Sequence, residues 1–248
     1  MSLVAAVEQA PRDPILGLNE QFNADPNPAK VNLGVGVYFD ADGKLPLLRC
    51  VAQAQQQLLQ AAKPHGYLPI DGIAAYDQAV QQLVFGADSA ALRDKRIATV
   101  QALGGTGGLK IGADFLHRLT PGATVLISDP SWENHRALFS NAGFEVATYP
   151  YYDAESRGIR FDAMRQALAD AAPGTIVVLH ACCHNPTGYD LTPAQWKEVV
   201  ATVKARGLVA FLDMAYQGFG DGIEADGAVV GLFLDAGLDF FVSTSFSK

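Results

Sequence analysis

From residue 96 onward, short β-branched apolar runs alternate with helical segments, and this alternation leaves few architectures open. The runs are Arg96–Gln101, Thr124–Ser128, Phe144–Tyr149, Thr175–Leu179, Leu208–Asp213 and Asp239–Thr244, separated among others by Gly107–Leu119, Asn134–Asn141, Asp162–Ala171 and Pro193–Arg206. Strands that alternate with helices predict an α/β domain whose sheet is mostly parallel. Upstream, the first 45 residues read as irregular and turn-rich, broken repeatedly by Pro11, Pro14, Pro26 and Pro28. Val31–Tyr38 is a short β-like run containing Gly34 and Gly36, closed by the turn Asp40–Gly43. Helices are expected over Leu47–Ala61 and Ile73–Phe85. There is no internal repeat and no low-complexity segment.

Composition narrows the function classes. In 248 residues, 49% apolar and 18% charged side chains suffice for a substantial core. A formal charge of −8 argues against nucleic-acid binding, which needs clustered Lys and Arg. Met1–Pro11 has no basic residue ahead of its apolar run, unlike a signal peptide. No run approaches the length of a membrane-crossing helix. Three cysteines, two of them adjacent, make no disulfide framework. The expected location is the cytoplasm.

In parallel α/β sheets, ligands bind where the carboxyl ends of strands lead into helices. Five such ends carry unusual residues: Gly104–Gly108, Asp129–His135, His180–Gly188, Asp213–Tyr216 and Ser243–Lys248. Gly104-Gly-Thr-Gly-Gly108 is read as following a strand and opening a helix. Free backbone N–H groups there suit a phosphate, and a tight turn is the alternative. It is no Walker loop, and counting from Gly105 and Gly107 the third glycine of a dinucleotide fingerprint is replaced by Lys110. His180-Ala-Cys-Cys-His184 superficially offers metal ligands, but side chains alternate faces along a strand and four neighbours would not converge on one ion. Cys182 and Cys183 are read as buried packing. Asp213 after its apolar strand is either a helix cap or a functional acid. Taken together, a phosphate loop, an acid, a phenol, an amide and a lysine at the ends of one sheet form the set that pyridoxal phosphate (PLP) requires.

At this point the residues resemble the aspartate/aromatic amino acid aminotransferase family, class I and fold type I among PLP enzymes, and most its bacterial aromatic (tyrosine) branch. The likeness runs through Asp13–Gly17, Val31–Tyr38, Tyr67–Gly72, Gly104–Gly107, Asp129–His135, His184–Gly188, Asp213–Phe219 and Ser245–Lys248. The resemblance implies a fold type I large domain over 47–248, incomplete at its C-terminal end. It also implies the N-terminal part of a small domain over 14–46, and an arm over 1–13 that embraces the other subunit of a homodimer. Lys248 would hold PLP covalently and, once displaced by substrate, move the proton at the substrate Cα. Asp213 would keep the pyridine nitrogen protonated, with His135 holding Asp213. Tyr216 and Asn185 would bond the phenolic oxygen, and Trp132 would stack on the ring. Gly105, Thr106 and Ser245 would hold the phosphate, joined by Tyr67 from the neighbouring subunit. Gly36, Trp132 and Asn185 would lie against the substrate.

Chains of this family continue past the corresponding lysine, into arginines that complete the phosphate and substrate sites. The expectation is therefore that this chain is the front part of a longer polypeptide. Its reaction would be amino transfer between an aromatic amino acid or aspartate and 2-oxoglutarate. The alternatives are a truncated, non-catalytic PLP-binding fragment or another fold type I chemistry, a lyase or decarboxylase. No metal is expected.

Overall fold

The computed structural model describes residues 4–8, 14–32, 40–42, 44–64 and 66–248. Gly36, most of the 1–13 segment and most of the Val31–Tyr38 run lie outside the described residues. Two compact units are present, Met1–His65 and Gly66–Lys248. The first contains helices α1 (Pro14–Ala24) and α2 (Arg49–Ala61). Among the described residues, no helix is long and apolar enough to cross a membrane.

The second unit opens with α3 (Ala74–Phe85), the single turn α4 (Ala90–Arg93) and α5 (Gly104–Leu119). Then come β1 (Thr124–Asp129), α6 (Glu133–Asn141), β2 (Glu145–Pro150), the hairpin β3 (Tyr152–Asp153) and β4 (Gly158–Ile159), and α7 (Phe161–Asp170). The unit ends with β5 (Ile176–His180), α8 (Pro193–Arg206), β6 (Val209–Met214), α9 (Ile223–Asp235) and β7 (Phe240–Thr244). The five long strands form one sheet in the order β2-β1-β5-β6-β7, and every pairing in it is parallel. The expected α/β class is present. The N-terminal stretch expected to be irregular contains the 11-residue helix α1, which starts on Pro14, a residue whose fixed φ suits a first helical turn. From residue 44 onward, the helices and strands named from the sequence begin and end within three residues of where they were expected, with one exception.

That exception is Arg96–Gln101, which is not a strand. A strand exists by laddering to a neighbour, and this segment is tied instead by single bonds, Arg96 N–H to Ala91 O and Gln101 N–H to Asp71 O. The glycine loop therefore opens a helix, as expected, but follows no strand.

The sheet's central strands show why the sequence folds this way. Along β5, Val177 and Leu179 pack with Ala210 and Leu212 of β6 against α7, α8 and α9, where Met164, Leu168, Trp196, Val199 and Phe233 are buried. The alternate residues Ile176, Val178 and Phe211 face the other way, onto Leu109, Ala113 and Leu116 of α5 and Phe139 of α6. Both faces are covered, so the strands read as continuous apolar runs rather than as alternating ones. Each such side chain contributes about 1.5–3 kcal/mol when it leaves water. Local signals agree with the packing. Helix α8 starts on a capping box, Thr192 with Gln195, and stops at Gly207, whose φ of 62° closes the helix in the left-handed region.

From β1 the chain first steps outward to β2 and then returns to the other side of β1 as β5. The loops after β1 and β5 thus leave the sheet in opposite directions. This is the switch point at which open α/β sheets leave a crevice beyond the carboxyl ends.

Candidate active site at the carboxyl ends of the strands

The centre of the site is Asp213, the fifth residue of β6, paired in register with His180 of β5 and Ser243 of β7. It is buried, and its Oδ2 lies 2.8 Å from Nε2 of the fully buried His135. An ionised carboxylate can only accept, so Nε2 carries the hydrogen. The other ring nitrogen, Nδ1, lies 2.8 Å from the Ser131 hydroxyl, so both nitrogens have a partner. Ser131 and His135 are four residues apart at the start of α6, one helical turn, so the loop after β1 orients the acid on β6. The cap alternative for Asp213 is excluded: its side chain serves His135, and no helix starts beside it.

Around this pair lies a run of rings. His135 contacts His180 at 4.9 Å between centroids, His180 contacts His184 at 4.2 Å, and His184 stacks on Tyr151 at 3.9 Å. Both ring nitrogens of His180 are buried without a hydrogen-bond partner. Burial, then the neighbouring His184 and His135 rings, hold it well below the usual histidine range. His184 is better provided for, with Ser128 Oγ 2.9 Å from Nε2 and Thr187 Oγ1 2.8 Å from Nδ1. Burial, then His135, lower its pKa to about 4. Both rings are neutral at pH 7, which leaves the Asp213 carboxylate without a competing cation on that side.

The opening turn of α5 makes the second part of the site. Its intrahelical bonds begin with Gly107 N–H to Leu103 O, so the N–H groups of Gly105 and Thr106 lie ahead of the ladder. Gly104 has φ +63°, which favours glycine, and a Cβ on Gly108 would lie 2.8 Å from Ser243 Oγ. A Cβ on Gly105 would touch that of Ser245 at 3.5 Å. Glycines thus let the helix start approach the end of β7, which brings backbone amides beside the Ser243 and Ser245 side chains. Such a set suits an anion.

The remaining expected residues fall as follows. Tyr216 follows β6 and is half-buried, with its phenol pKa raised by burial, then by Asp213 and Cys183. Lys248 is exposed, its Nζ 5.3 Å from the centroid of the Tyr216 ring. Trp132 is half-buried and meets His135 edge-on, 5.4 Å between centroids. Asn185 is half-buried on the turn after β5, which Asp190 holds by accepting from the N–H groups of Cys183 and His184. Tyr67 is fully exposed. Ser131, Ser243, His180 and His184 were not among the expected site residues. Ser131 was legible as the residue one turn before His135; the other three needed the strand register.

A buried acid clamped by histidine, aromatic rings, an anion cradle and a free amine suit one small molecule with a basic nitrogen and an anionic group. The sequence profile described as "Aminotransferase class I and II" matches residues 28–248. An aspartate aminotransferase of Pseudomonas aeruginosa is 62% identical over all 248 residues, which make up 62% of its length. A tyrosine aminotransferase of Klebsiella pneumoniae is 52% identical over 95% of the chain and 60% of its own. The crystal structure of an aromatic-amino-acid aminotransferase from Burkholderia pseudomallei, covalently bound to pyridoxal phosphate, superimposes on the whole chain. Its TM-score is 0.98 at 67% identity, with 62% of that protein covered. This chain thus spans about three-fifths of the length of the proteins it matches, and it belongs to the class I and II aminotransferase family.

Proposed function

We propose that this chain holds PLP and is the cofactor-binding part of an aminotransferase that moves an amino group between an aromatic amino acid or aspartate and 2-oxoglutarate. The reading rests above all on the buried Asp213–His135 pair, at 2.8 Å, beside the strand β7 that leads to Lys248. The names of the relatives and the bound group in the Burkholderia protein support it. The donor set fits the cofactor: amides at a glycine-opened helix start beside Ser245 for the phosphate, and a clamped acid for the ring nitrogen.

Gly105, Thr106 and Ser245 would hold the phosphate, Asn185 and Tyr216 the phenolic oxygen, Trp132 the ring face and Lys248 the covalent link. When bound, PLP supplies an electron-poor ring that draws charge away from the Cα of the amino acid. Asp213 holds a proton at the ring nitrogen, and the bond from His135 keeps its carboxylate oriented. Tyr216 stays protonated at neutral pH, so its hydroxyl can donate. Lys248, once displaced by the amino acid, takes the proton from the substrate Cα. Gly36 would lie against the substrate together with Trp132 and Asn185.

The same reading takes 1–13 as an arm, 14–46 as part of a small domain and 47–248 as the large domain. The enzyme would be a cytoplasmic homodimer with Tyr67 reaching the phosphate of the neighbouring subunit. The test is borohydride reduction of the full-length polypeptide followed by mass mapping. A reduced PLP adduct on Lys248, lost in Lys248→Ala together with oxo-acid formation, is expected. Full activity in Lys248→Ala would overturn the reading. Ammonia or carbon dioxide release in place of oxo-acid exchange would replace amino transfer by a lyase or decarboxylase.

A further inference from the structure

The adjacent cysteines after β5 do not point apart. In an extended chain, successive side chains alternate faces, but Cys183 has φ +49° and has left the extended run. As a result the two sulfur atoms and an oxygen of Asp226 all lie within 4.8 Å of one another. Asp226 is already engaged, accepting from the N–H groups of Gly218, Gly220 and Asp221 at 2.8–3.0 Å. The groups left to act are therefore the two thiols. Cys183 is half-buried and its Sγ lies 3.8 Å from the carbonyl of Tyr216, while Cys182 is buried.

Their protonation selects the chemistry. Burial raises both thiols, as do Asp226 and Asp190, and both are protonated at neutral pH. Reagents that require a thiolate, and divalent ions that require two of them, are disfavoured. A trivalent arsenical has no such requirement, because neutral thiols give a neutral product.

We propose that Cys182 and Cys183 form a chelating site for trivalent arsenicals, directly behind the loop that carries Tyr216. With an arsenic(III) oxide R–As=O, two As–S bonds form, the arsenic–oxygen bonds break, and the oxygen leaves as water with both thiol protons. Arsenic stays trivalent, so no oxidant or reductant takes part. The half-buried Cys183 offers the first bond; the second is then intramolecular and is favoured by effective concentration. For the same reason a single competing thiol does not displace the chelate, whereas a dithiol does.

The experiment is intact-mass analysis of the full-length holoenzyme after equimolar phenylarsine oxide and an excess of glutathione. One phenylarsenic group retained on the peptide carrying both cysteines, with loss of one water, is expected. Dimercaptopropanol should then remove it. Cys182→Ser and Cys183→Ser should each lose retention completely, and Cys50→Ser should keep it. Release from the wild type by glutathione, or retention on that peptide in either serine variant, would overturn the proposal. Should a variant not fold, alkylation of the treated wild type after denaturation decides instead. Protection of both thiols supports the site, and protection of one or neither refutes it.

Discussion

Asp213 and His184 show how single side chains divide the work of charge in this site. Asp213→Asn keeps an oxygen that can still accept from His135 Nε2, so the clamp at 2.8 Å survives while the negative charge is lost. A neutral amide cannot hold a proton on a ring nitrogen. Cofactor should therefore remain partly bound while single-turnover amino transfer in the full-length enzyme falls by on the order of 100-fold or more. A near-normal rate in this variant would remove Asp213 from its proposed role. His184 makes the opposite contribution, through remaining uncharged. Its folded-state pKa of about 4 lies below the ordinary histidine value of 6.5. Protons then bind the unfolded chain first, so stability present above pH 6.5 is lost as pH falls toward 4. The full loss from this one ring is about 3 kcal/mol, and His180 adds to it in the same direction. Urea midpoints measured at pH 7 and pH 5 should fall accordingly, and His184→Gln should flatten the difference.

At the scale of elements, helix α5 is pressed unusually close to β6. A Cβ on Gly112 would lie 2.6 Å from the Phe211 ring, which is itself buried. Gly112→Ala gains about 1 kcal/mol of helix propensity. Overpacking a filled core costs about 1–3 kcal/mol, so the net effect should be destabilising by roughly 1 kcal/mol. A lower urea midpoint at unchanged m-value checks it; a more stable variant would mean that the ring moves aside freely. The same closeness explains what could be read from the sequence. The sheet was legible because its strands are buried on both faces and so form unbroken apolar runs. Helix α9 went unread because Gly227 and Gly231 interrupt its pattern, and Gln217 Nε2 comes within 2.6 Å of where a Cβ on Gly227 would sit. Arg96–Gln101 looked like a strand because composition marks an apolar extended segment but not whether a neighbour ladders to it. The histidine cluster was hidden for a related reason. His180 meets Asp213 through strand register, and register is a property of two strands rather than of either sequence. Cys183 defeated the alternation rule through a single left-handed residue.

At the scale of the whole molecule, apolar side chains lie exposed on the segments that lead into the site. Scattered exposed apolar residues are ordinary, but here they are gathered by specific bonds. Gln101 N–H donates to Asp71 O at 2.8 Å, and Ile73 N–H donates to Gln101 Oε1 at 3.0 Å. These bonds bring the segment carrying Tyr67, Leu68 and Ile70 against the residues that lead into α5. There Leu103 is 94% exposed, and Ile111, Phe115 and Leu119 follow along the helix at intervals of one turn, all exposed. A surface of this kind needs a cover. A second copy is the cover that the proposed homodimer supplies, since fully exposed Tyr67 opens the segment and would reach the neighbouring phosphate. Ile70→Glu with Leu103→Glu should then weaken dimerisation of the full-length enzyme by at least roughly 100-fold, from the loss of two buried side chains at about 1.5–3 kcal/mol each. Sedimentation velocity over a dilution series measures it. A wild type that stays monomeric would show that another part of the polypeptide covers this face, and Tyr67 would then have no partner site to reach. A doubly substituted chain that still dimerises as tightly would move the interface elsewhere on the molecule. Dissociation with folding intact would tie the apolar segment, the glycine-opened helix and the cofactor site into one assembly, each subunit completing the phosphate cradle of the other.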